Sequence, residues 1–244
     1  MIYALLNIPT HHLIYSWILC SGLFSPLEDT SVVAAIIDGT GPGWHLMTSR
    51  DFVDVNGADD TWKWEGSLLH CTGIPVGVIR SRSRYTNFEL MLQWRHLRPA
   101  GNSGVFVWSP LKSIRDLIPG QLPHGIEIQV LDNDFTRQYE ERTGKPSDWF
   151  TTHGDVFPVG VSVMKPFEPV SPDETRSFPS QDLSRGVGQW NHYYIRCVNG
   201  EIRLWVNSQE VSGGTKCEPR VGFICLESEG SPIEFREIRI RRLP

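Results

Sequence analysis

The chain has 244 residues, and 23 Lys and Arg residues against 28 Asp and Glu residues give a formal net charge of −5. Hydrophobic residues make up 40% of the sequence and charged residues 21%, a balance that is typical of globular proteins and excludes a disordered or fibrous chain. Because the chain is mildly acidic and has no block of Lys and Arg, its composition argues against a nucleic-acid partner. The 9 Trp, 22 Gly and 17 Pro residues indicate instead a turn-rich β protein, which is compatible with carbohydrate as a partner.

The N-terminal segment is unusual, because no Asp, Glu, Lys or Arg precedes Glu28 and residues 13–19 are apolar apart from Ser16. An export signal has this apolar character, although the charged start and small-residue cleavage site are missing. A signal or anchor, a misassigned start and an ordered arm all remain open. We expect residues 1–41 to be such a segment and residues 42–244 to be the folded domain. We also expect a periplasmic or extracellular location, with no stable insertion of the domain into a membrane.

The cysteines indicate neither a disulfide framework nor a zinc site, because they are odd in number and lack a CxxC spacing. Cys197 and Cys225 lie in apolar, strand-like stretches and are predicted to be buried thiols. The full set is Cys20, Cys71, Cys197, Cys217 and Cys225. We therefore predict no cofactor. A divalent metal is possible but has no motif to support it.

Alternation of apolar and polar residues from Trp44 onward predicts β-strands, and no stretch beyond about ten residues has a helical repeat. Asn199-Gly200 favours a two-residue hairpin turn, and the break in alternation between Phe235 and Ile238 indicates a bulge. Short strands separated by Gly and Pro turns are typical of an antiparallel sandwich or jelly roll. The clearest predicted strands are residues 88–95, 104–108, 125–130, 193–198, 201–206, 221–226 and 233–240.

The stretch between Asp134 and Gly188 is rich in Pro, Ser and charged residues. It is too long for a simple connection between strands and too aromatic for a disordered linker. Because long insertions on a β scaffold usually carry function, this insertion is expected to contribute to a site.

Glu127 and Gln129 are two residues apart on one predicted strand, so their side chains project from the same face. Ile126, Ile128 and Val130 would then fill the core. The polar pair indicates either a proton-transferring Glu with an orienting Gln or simply a solvated face. If the strand that carries Arg95 shares the sheet, Arg95 could lie near Glu127 and lower its pKa.

Three further polar groups are candidates for a site. Asn102 lies in the sequence Gly101–Gly104, which is predicted first as a turn. Residues 132–134 (Asp-Asn-Asp) could cap a turn or bind calcium, but their spacing matches no known calcium loop. His153 and Asp155 could form an acid–base pair or half of a metal site, and exposed loop polarity is an equal alternative.

Glu227 and Glu229 also alternate, and two carboxylates across a groove would serve ordinary glycoside hydrolysis. The ExDxE strand of sandwich-fold glucanases is absent, since the strand of Glu127 offers only ExQ. Trp149, Trp190 and Trp205 could stack on sugar rings or pack in the core.

Six ordered motifs together resemble the 3-keto-disaccharide hydrolase family over about residues 42–244. They are Asn87-Phe88-Glu89-Leu90 to Trp94-Arg95, Gly101-Asn102-Ser103-Gly104-Val105-Phe106, Gly125-Ile126-Glu127-Ile128-Gln129-Val130-Leu131-Asp132-Asn133, Gly188-Gln189-Trp190-Asn191, residues 202–207, and Glu234-Phe235-Arg236-Glu237-Ile238-Arg239-Ile240. The resemblance implies an antiparallel concanavalin-A-like jelly roll, often exported, that acts on glycosides whose glucose carries a ketone at carbon 3. The sequence departs from the family in its long insertion and in Ser208, which replaces a turn glycine.

A ketone at carbon 3 acidifies the hydrogen on carbon 2, so one base can start cleavage by hydrolysis or by elimination and hydration. Glu127 is the candidate base or acid, and His153 or Asp155 is the candidate second proton carrier. The residues proposed to bind the substrate are Arg95, Asn102, Gln129, Lys165, Trp190 and Glu229. The main alternative is a non-catalytic carbohydrate-binding module, because lectins share this fold. A third hypothesis is an interaction domain of a cell-surface complex, and only the unusual N-terminal segment supports it.

Overall fold

The computed structural model describes residues 36–244, all of which belong to one compact unit. The predictions for the N-terminal segment and for Cys20 therefore lie outside the described residues, apart from residues 36–41. Within residues 36–244, no helix is long and apolar enough to cross a bilayer. Two antiparallel sheets stacked face to face form a jelly-roll sandwich, which confirms the predicted fold.

The larger sheet has nine strands in the order β10-β13-β12-β11-β6-β15-β4-β3, with β1 paired to β15. Its strands are β1 (Trp44–Leu46), β3 (Trp62–Glu65), β4 (Leu68–Cys71), β6 (Phe88–His96), β10 (Val163–Pro166), β11 (Asn191–Val198), β12 (Glu201–Val206), β13 (Gln209–Glu218) and β15 (Ile233–Arg242).

The smaller sheet has six strands in the order β2-β5-β14-β7-β8-β9. They are β2 (Phe52–Asp54), β5 (Gly77–Ser81), β7 (Asn102–Ser109), β8 (Gly125–Leu131), β9 (Val156–Val159) and β14 (Phe223–Ser228). The predicted turn at residues 101–104 is wrong for most of its length. Asn102 already pairs with Leu131 and Gly104 with Gln129, because β7 begins there.

Within residues 36–244, helix is confined to the short α1 (Leu111–Ile114) and to α2 (Phe135–Thr143), apart from a single 3-10 turn at Ser49–Asp51. Helix α2 lies in the insertion and ends at Gly144, whose φ of 65° lets its N–H bond back to Glu140 O. The insertion also supplies β9 and β10, so it is a folded part of the sandwich.

The core lies between the sheets and takes every second residue of the facing strands. On β8, the predicted core residues Ile126, Ile128 and Val130 are fully buried there. Each such side chain stabilises the fold by about 1.5–3 kcal/mol relative to an exposed one. Because side chains alternate along a strand, Glu127 and Gln129 project from the opposite, outer face of the smaller sheet.

The local predictions of turn and bulge are confirmed. Val198 pairs with Glu201 across Asn199-Gly200, whose φ values are 52° and 77°. The register of β15 shifts between Arg236 and Arg239. Four cysteines, Cys71, Cys197, Cys217 and Cys225, are free and buried.

Candidate functional site

Three neighbouring strands bring carboxyl groups together on the outer face of the smaller sheet. Strand β7 lies between β8, which carries Glu127, and β14, which carries Glu227. Gly104 on β7 provides the space between them. A Cβ at Gly104 would lie 2.6 Å from Glu227 Oε2 and 2.8 Å from Glu127 Oε1, so these oxygens are at most 5.4 Å apart, the sum of the two distances. A side chain at Gly104 would therefore displace both carboxyl groups.

A cavity of about 310 Å³, which we call the carboxyl pocket, opens over this face. Glu127, Glu227 and Glu229 line it, and we call these three residues the carboxyl cluster. Glu229 follows the end of β14 directly. Much of the remaining wall is aromatic and comes from α2, the segment after it and β9: Phe135, Tyr139, Trp149, Phe150 and Phe157. The insertion thus contributes to the site, as predicted, and Trp149 belongs to it.

Burial perturbs all three carboxyl groups. It raises the pKa of Glu127 to about 8, with a further rise from the charge of Glu229 that the cation of Arg176 partly opposes. Burial also raises the pKa of Glu227 far above its usual range, and the charges of Glu127 and Glu229 add to the rise. The pKa of Glu229 is raised to about 6 by burial, an effect that the neighbouring Glu227 and Asn102 side chains partly oppose. At neutral pH Glu127 and Glu227 therefore mostly retain their protons, whereas Glu229 is mostly ionised.

Glu227 is the most isolated member of the cluster. Its side chain is fully buried, and no donor among the described residues reaches either carboxylate oxygen. A buried carboxylate without donors is strongly disfavoured, so Glu227 keeps its proton.

Two arginines line the pocket, the exposed Arg142 and Arg176, and the charge of Arg176 acts on Glu127. Its guanidinium carbon lies 3.5 Å from the ring centroid of Phe157 and 5.0 Å from that of Trp149. Nη1 is buried without a hydrogen-bond acceptor and lies 3.7 Å from Asp155 Oδ2. Burial lowers the pKa of Arg176, but a guanidinium remains charged at neutral pH. An unsatisfied buried donor in a cavity can bind an anionic oxygen of a ligand.

Two amides stiffen the floor of the pocket. Gln129 Nε2 donates to Asn102 Oδ1 at 2.9 Å and to Ser103 O at 3.1 Å. These bonds fix the orientation of the Gln129 amide and leave Oε1 as the atom that can accept from a substrate hydroxyl. Asn102 also lines the pocket, next to Glu229.

The structure does not bring His153 or Asp155 into the pocket: neither residue lines it, and both side chains are fully buried. Burial lowers the pKa of His153 to about 4, so its imidazole is neutral. The Asp155 carboxylate accepts from the backbone N–H of Thr151 at 3.0 Å and from its hydroxyl. The backbone of residues 154–155 extends the pairing of β8, with Gln129 N donating to Asp155 O at 2.9 Å. Asp155 thus holds a loop and faces Arg176.

Arg95, Trp190 and Lys165 lie on the larger sheet, which corrects the prediction that they meet Glu127. Arg95 is on β6, where Nε donates to Glu234 Oε2 at 2.6 Å and the guanidinium carbon lies 4.6 Å from the Trp190 ring centroid. Lys165 is exposed on β10, opposite Thr215. Strand parity correctly placed Arg95 on a polar face, but β6 and β8 belong to different sheets.

Other candidates have structural roles. Trp205 packs against Tyr194 with ring centroids 4.9 Å apart. Asp132 Oδ1 accepts from the backbone N–H groups of Ala100 and Asp134, which is the predicted turn cap. Among residues 36–244 no group of three or more His, Cys, Asp and Glu side chains is arranged to hold a metal ion.

Sequence reasoning missed Glu227 as a pocket residue and missed Arg176 altogether. The signal for Glu227 was a carboxylate directly after the apolar run Phe223–Leu226, in which a charged side chain is costly. Arg176 directly precedes Ser177, which forms isolated bridges with Val156 and with Val170 in the insertion. No local pattern marked it.

Comparison with known proteins supports a carbohydrate-related fold. The model of a family described as "3-keto-alpha-glucoside-1,2-lyase-like domain" matches residues 35–241. A candidate glycosyl hydrolase from Parabacteroides distasonis is similar at 19% identity, over 86% of this chain and 98% of its own, with a TM-score of 0.61. A second one from the same organism has 22% identity over 82% and 99% of the two chains and a TM-score of 0.56.

The carbohydrate-binding module CBM66 from Bacillus subtilis is similar at 10% identity, over 78% of this chain and 95% of its own, with a TM-score of 0.51. At such identities the solved structures show the fold alone. No curated protein matches the sequence at a significant level. The fold is thus one shared by glycosyl-hydrolase-like and carbohydrate-binding proteins.

Proposed function

Because the chain belongs to the family of 3-keto-α-glucoside-1,2-lyase-like domains, we propose that it cleaves the glycosidic bond of 3-keto-glucosides or 3-keto-disaccharides. The observation that carries the proposal is the Glu127 carboxyl, buried in a pocket beside Arg176, with its pKa raised to about 8. A general base works best when its pKa lies near the operating pH. An ordinary surface carboxylate would be far too weak a base to remove a proton from carbon.

In this proposal Glu127 removes the hydrogen on carbon 2, which the neighbouring ketone acidifies. The negative charge then develops on the oxygen at carbon 3. Arg176 is the cation that stabilises it, in the role first predicted for Arg95, because its buried Nη1 has no hydrogen-bond acceptor among residues 36–244. The Oε1 atom of Gln129 accepts from a ring hydroxyl and holds the sugar in place.

The aromatic walls favour a sugar as the ligand. A pocket of about 310 Å³ accommodates one hexose ring with some solvent. Trp149 and Phe157 can stack on the C–H faces of the ring, while the carboxyl and amide groups bind its edge.

One observation favours a second candidate, ordinary glycoside hydrolysis by two carboxyl groups. Retaining glycosidases place their two carboxyl groups about 5–5.5 Å apart. In this protein one carboxyl oxygen of Glu127 and one of Glu227 lie no more than 5.4 Å apart, so the two groups are close enough for such a mechanism. In that mechanism an unmodified glucoside would be a substrate, which the following experiment tests.

The test is incubation of the protein with matched 3-keto and unmodified glucosides, with and without a chelator, followed by mass spectrometry of the released sugar. We expect release from the 3-keto compounds only. Glu127→Gln should lower this rate by about 10²–10⁴-fold, because the amide keeps the shape but is no base. Glu218→Gln, an exposed change on the larger sheet, is the matched control.

Cleavage of the unmodified glucosides would support ordinary hydrolysis. Recovery of both sugars bound but unchanged after long incubation would support the carbohydrate-binding module. Full activity of Glu127→Gln would exclude Glu127 as the base.

A further inference from the structure

A second cavity, of about 580 Å³, adjoins the carboxyl pocket, and we call it the outer groove. The two cavities share four lining residues: Asn102, Phe135, Arg142 and Glu229. Glu127 and Glu227 line the carboxyl pocket, whereas the outer groove has neither of them. Glu229 is therefore the one member of the carboxyl cluster that faces both cavities.

This position fits the bond that must break. If the keto sugar lies in the carboxyl pocket with carbon 2 against Glu127, as the proposed function requires, carbon 1 is the adjacent ring atom. The oxygen that joins carbon 1 to the aglycone then points out of the pocket, and the outer groove is the space next to it. The glycosidic oxygen would cross the junction that Glu229 lines.

We propose that Glu229 is the general acid that protonates the departing aglycone oxygen, and that the outer groove binds the aglycone. This inference rests on the proposed function for the location of the reacting ring. It assigns a role that Glu127, which does not line the outer groove, cannot fill.

The reaction balances without any further reactant when it starts from the form in which Glu127 is ionised and Glu229 is protonated. This is a minor form at neutral pH, because the pKa of Glu127 lies above that of Glu229. Glu127 takes the proton from carbon 2, and the electron pair of that C–H bond forms the enolate. When the ketone re-forms, this pair makes a double bond between carbons 1 and 2, and the bond from carbon 1 to the aglycone oxygen breaks. That oxygen leaves with the bonding electrons and takes the proton of Glu229. Glu127 has then gained one proton and Glu229 has lost one.

Glu227 lies where it can restore the starting state. One of its oxygens lies no more than 5.4 Å from an oxygen of Glu127, and Glu229 lines the same cavity. A proton that passes from Glu127 to Glu227, and from Glu227 to Glu229, resets both groups. Because neither oxygen of Glu227 has a hydrogen-bond partner among the described residues, no other group competes for its proton.

The lining of the outer groove indicates the class of aglycone. Gln138, Arg142 and Ser231 offer hydrogen-bonding groups, and Phe135 is the single aromatic side chain among the lining residues. Side-chain amides, guanidinium groups and hydroxyls recognise a hydroxyl-rich group such as a second sugar better than a flat aromatic one.

The experiment compares two 3-keto-glucosides, one with a nitrophenyl aglycone and one with an alkyl aglycone. Nitrophenolate leaves without a proton, whereas an alkoxide needs one. We expect Glu229→Gln to slow the alkyl compound by about 10²–10⁴-fold and the nitrophenyl compound by less than about tenfold. Glu127→Gln should slow both equally. Equal losses on both aglycones in Glu229→Gln would overturn the assignment.

The same pair of aglycones on unmodified glucose separates this inference from the proposed function. If only the unmodified glucosides are cleaved, the proposed function fails, but the selective loss in Glu229→Gln would still support Glu229 as the acid. If neither series of glucosides is cleaved, both the proposed function and the assignment of Glu229 as a general acid are wrong.

Calorimetric titration tests the groove without turnover. In Glu127→Gln, a further Gln138→Ala change should weaken binding of a 3-keto-disaccharide several-fold and leave a methyl 3-keto-glucoside unaffected. Unchanged disaccharide affinity would contradict the assignment of the groove.

Discussion

Replacing Glu127 by Gln should stabilise the folded protein at neutral pH, although it removes the proposed base. The pKa of Glu127 is about 8 in the folded protein against an ordinary 4.5. Between these two values the unfolded chain releases the proton and the folded protein keeps it, so the free energy of unfolding falls as the pH rises. At about 1.4 kcal/mol per pKa unit, the loss at pH 7 is about 3 kcal/mol. Gln keeps the shape of the side chain and does not titrate.

The stabilisation by Glu127→Gln should depend on pH in a defined way. Below about pH 4.5 both states of the wild-type protein hold the proton, so Glu127→Gln should have almost no effect through this mechanism. The stabilisation should grow between pH 5 and pH 8 and then level off. The assay is urea unfolding, followed by tryptophan fluorescence at several pH values between 4.5 and 8.5.

Glu218→Gln is the control, because its side chain is 57% exposed and lies away from the carboxyl cluster. Such surface changes usually alter stability by less than about 0.5 kcal/mol. If Glu127→Gln is no more stable than the wild type at pH 8, Glu127 is not held in its protonated form, and the argument for a buried base fails.

Three further predictions follow from the same structure. The pH profile of kcat/KM should be a bell with limbs near pH 6 and pH 8. These limbs correspond to the pKa values of Glu229 and Glu127, although each belongs to the cluster as a whole. A flat profile from pH 5 to 9 would contradict this prediction. Gly104→Ala should fold, because the atoms nearest to its new Cβ belong to the side chains of Glu127 and Glu227 and not to the backbone. It should lose about 10²-fold in kcat, because the new methyl group displaces both carboxyl groups. Unchanged kcat with unchanged thermal unfolding would contradict the close approach of the two carboxyl groups to Gly104. Ser208→Gly should stabilise the protein by about 1 kcal/mol in urea unfolding, because Ser208 has a φ of 85°, a conformation that suits glycine. A loss of stability would show that the contacts of the serine hydroxyl outweigh the relief of backbone strain.

Local features of the fold could be predicted from the sequence, because they depend on neighbouring residues. The turn at Asn199-Gly200 requires positive φ values that this dipeptide tolerates. The side on which Glu127 and Gln129 project follows from the two-residue period of a strand. Both were correct without any knowledge of which strands pair.

Which strands share a sheet could not be predicted in this way. Arg95 has the right parity for a polar face, but its strand pairs with β11 and β15 in the larger sheet. That pairing depends on contacts between residues far apart in sequence, and no local pattern encodes it. The same limitation applies to Arg176, which reaches the pocket from an irregular part of the insertion.

The carboxyl cluster also bears on the choice between an enzyme and a binding module. A sugar-binding surface needs aromatic faces and fixed hydrogen-bonding groups, and a fully buried carboxyl without a donor, such as Glu227, adds nothing to either. Two arginines, Arg142 and Arg176, line the pocket with the three carboxyl groups. Among the described residues neither of them forms an ion pair with a member of the cluster, and the ion pair of Arg176 is with Asp155, so the cluster is not a structural network of ion pairs. Such an arrangement lowers stability at neutral pH, and strongly perturbed groups in a cleft are typical of sites that move protons. The carboxyl cluster therefore favours catalysis over sugar binding alone. The stability of Glu127→Gln measures the free energy that the buried Glu127 carboxyl costs the folded protein at neutral pH.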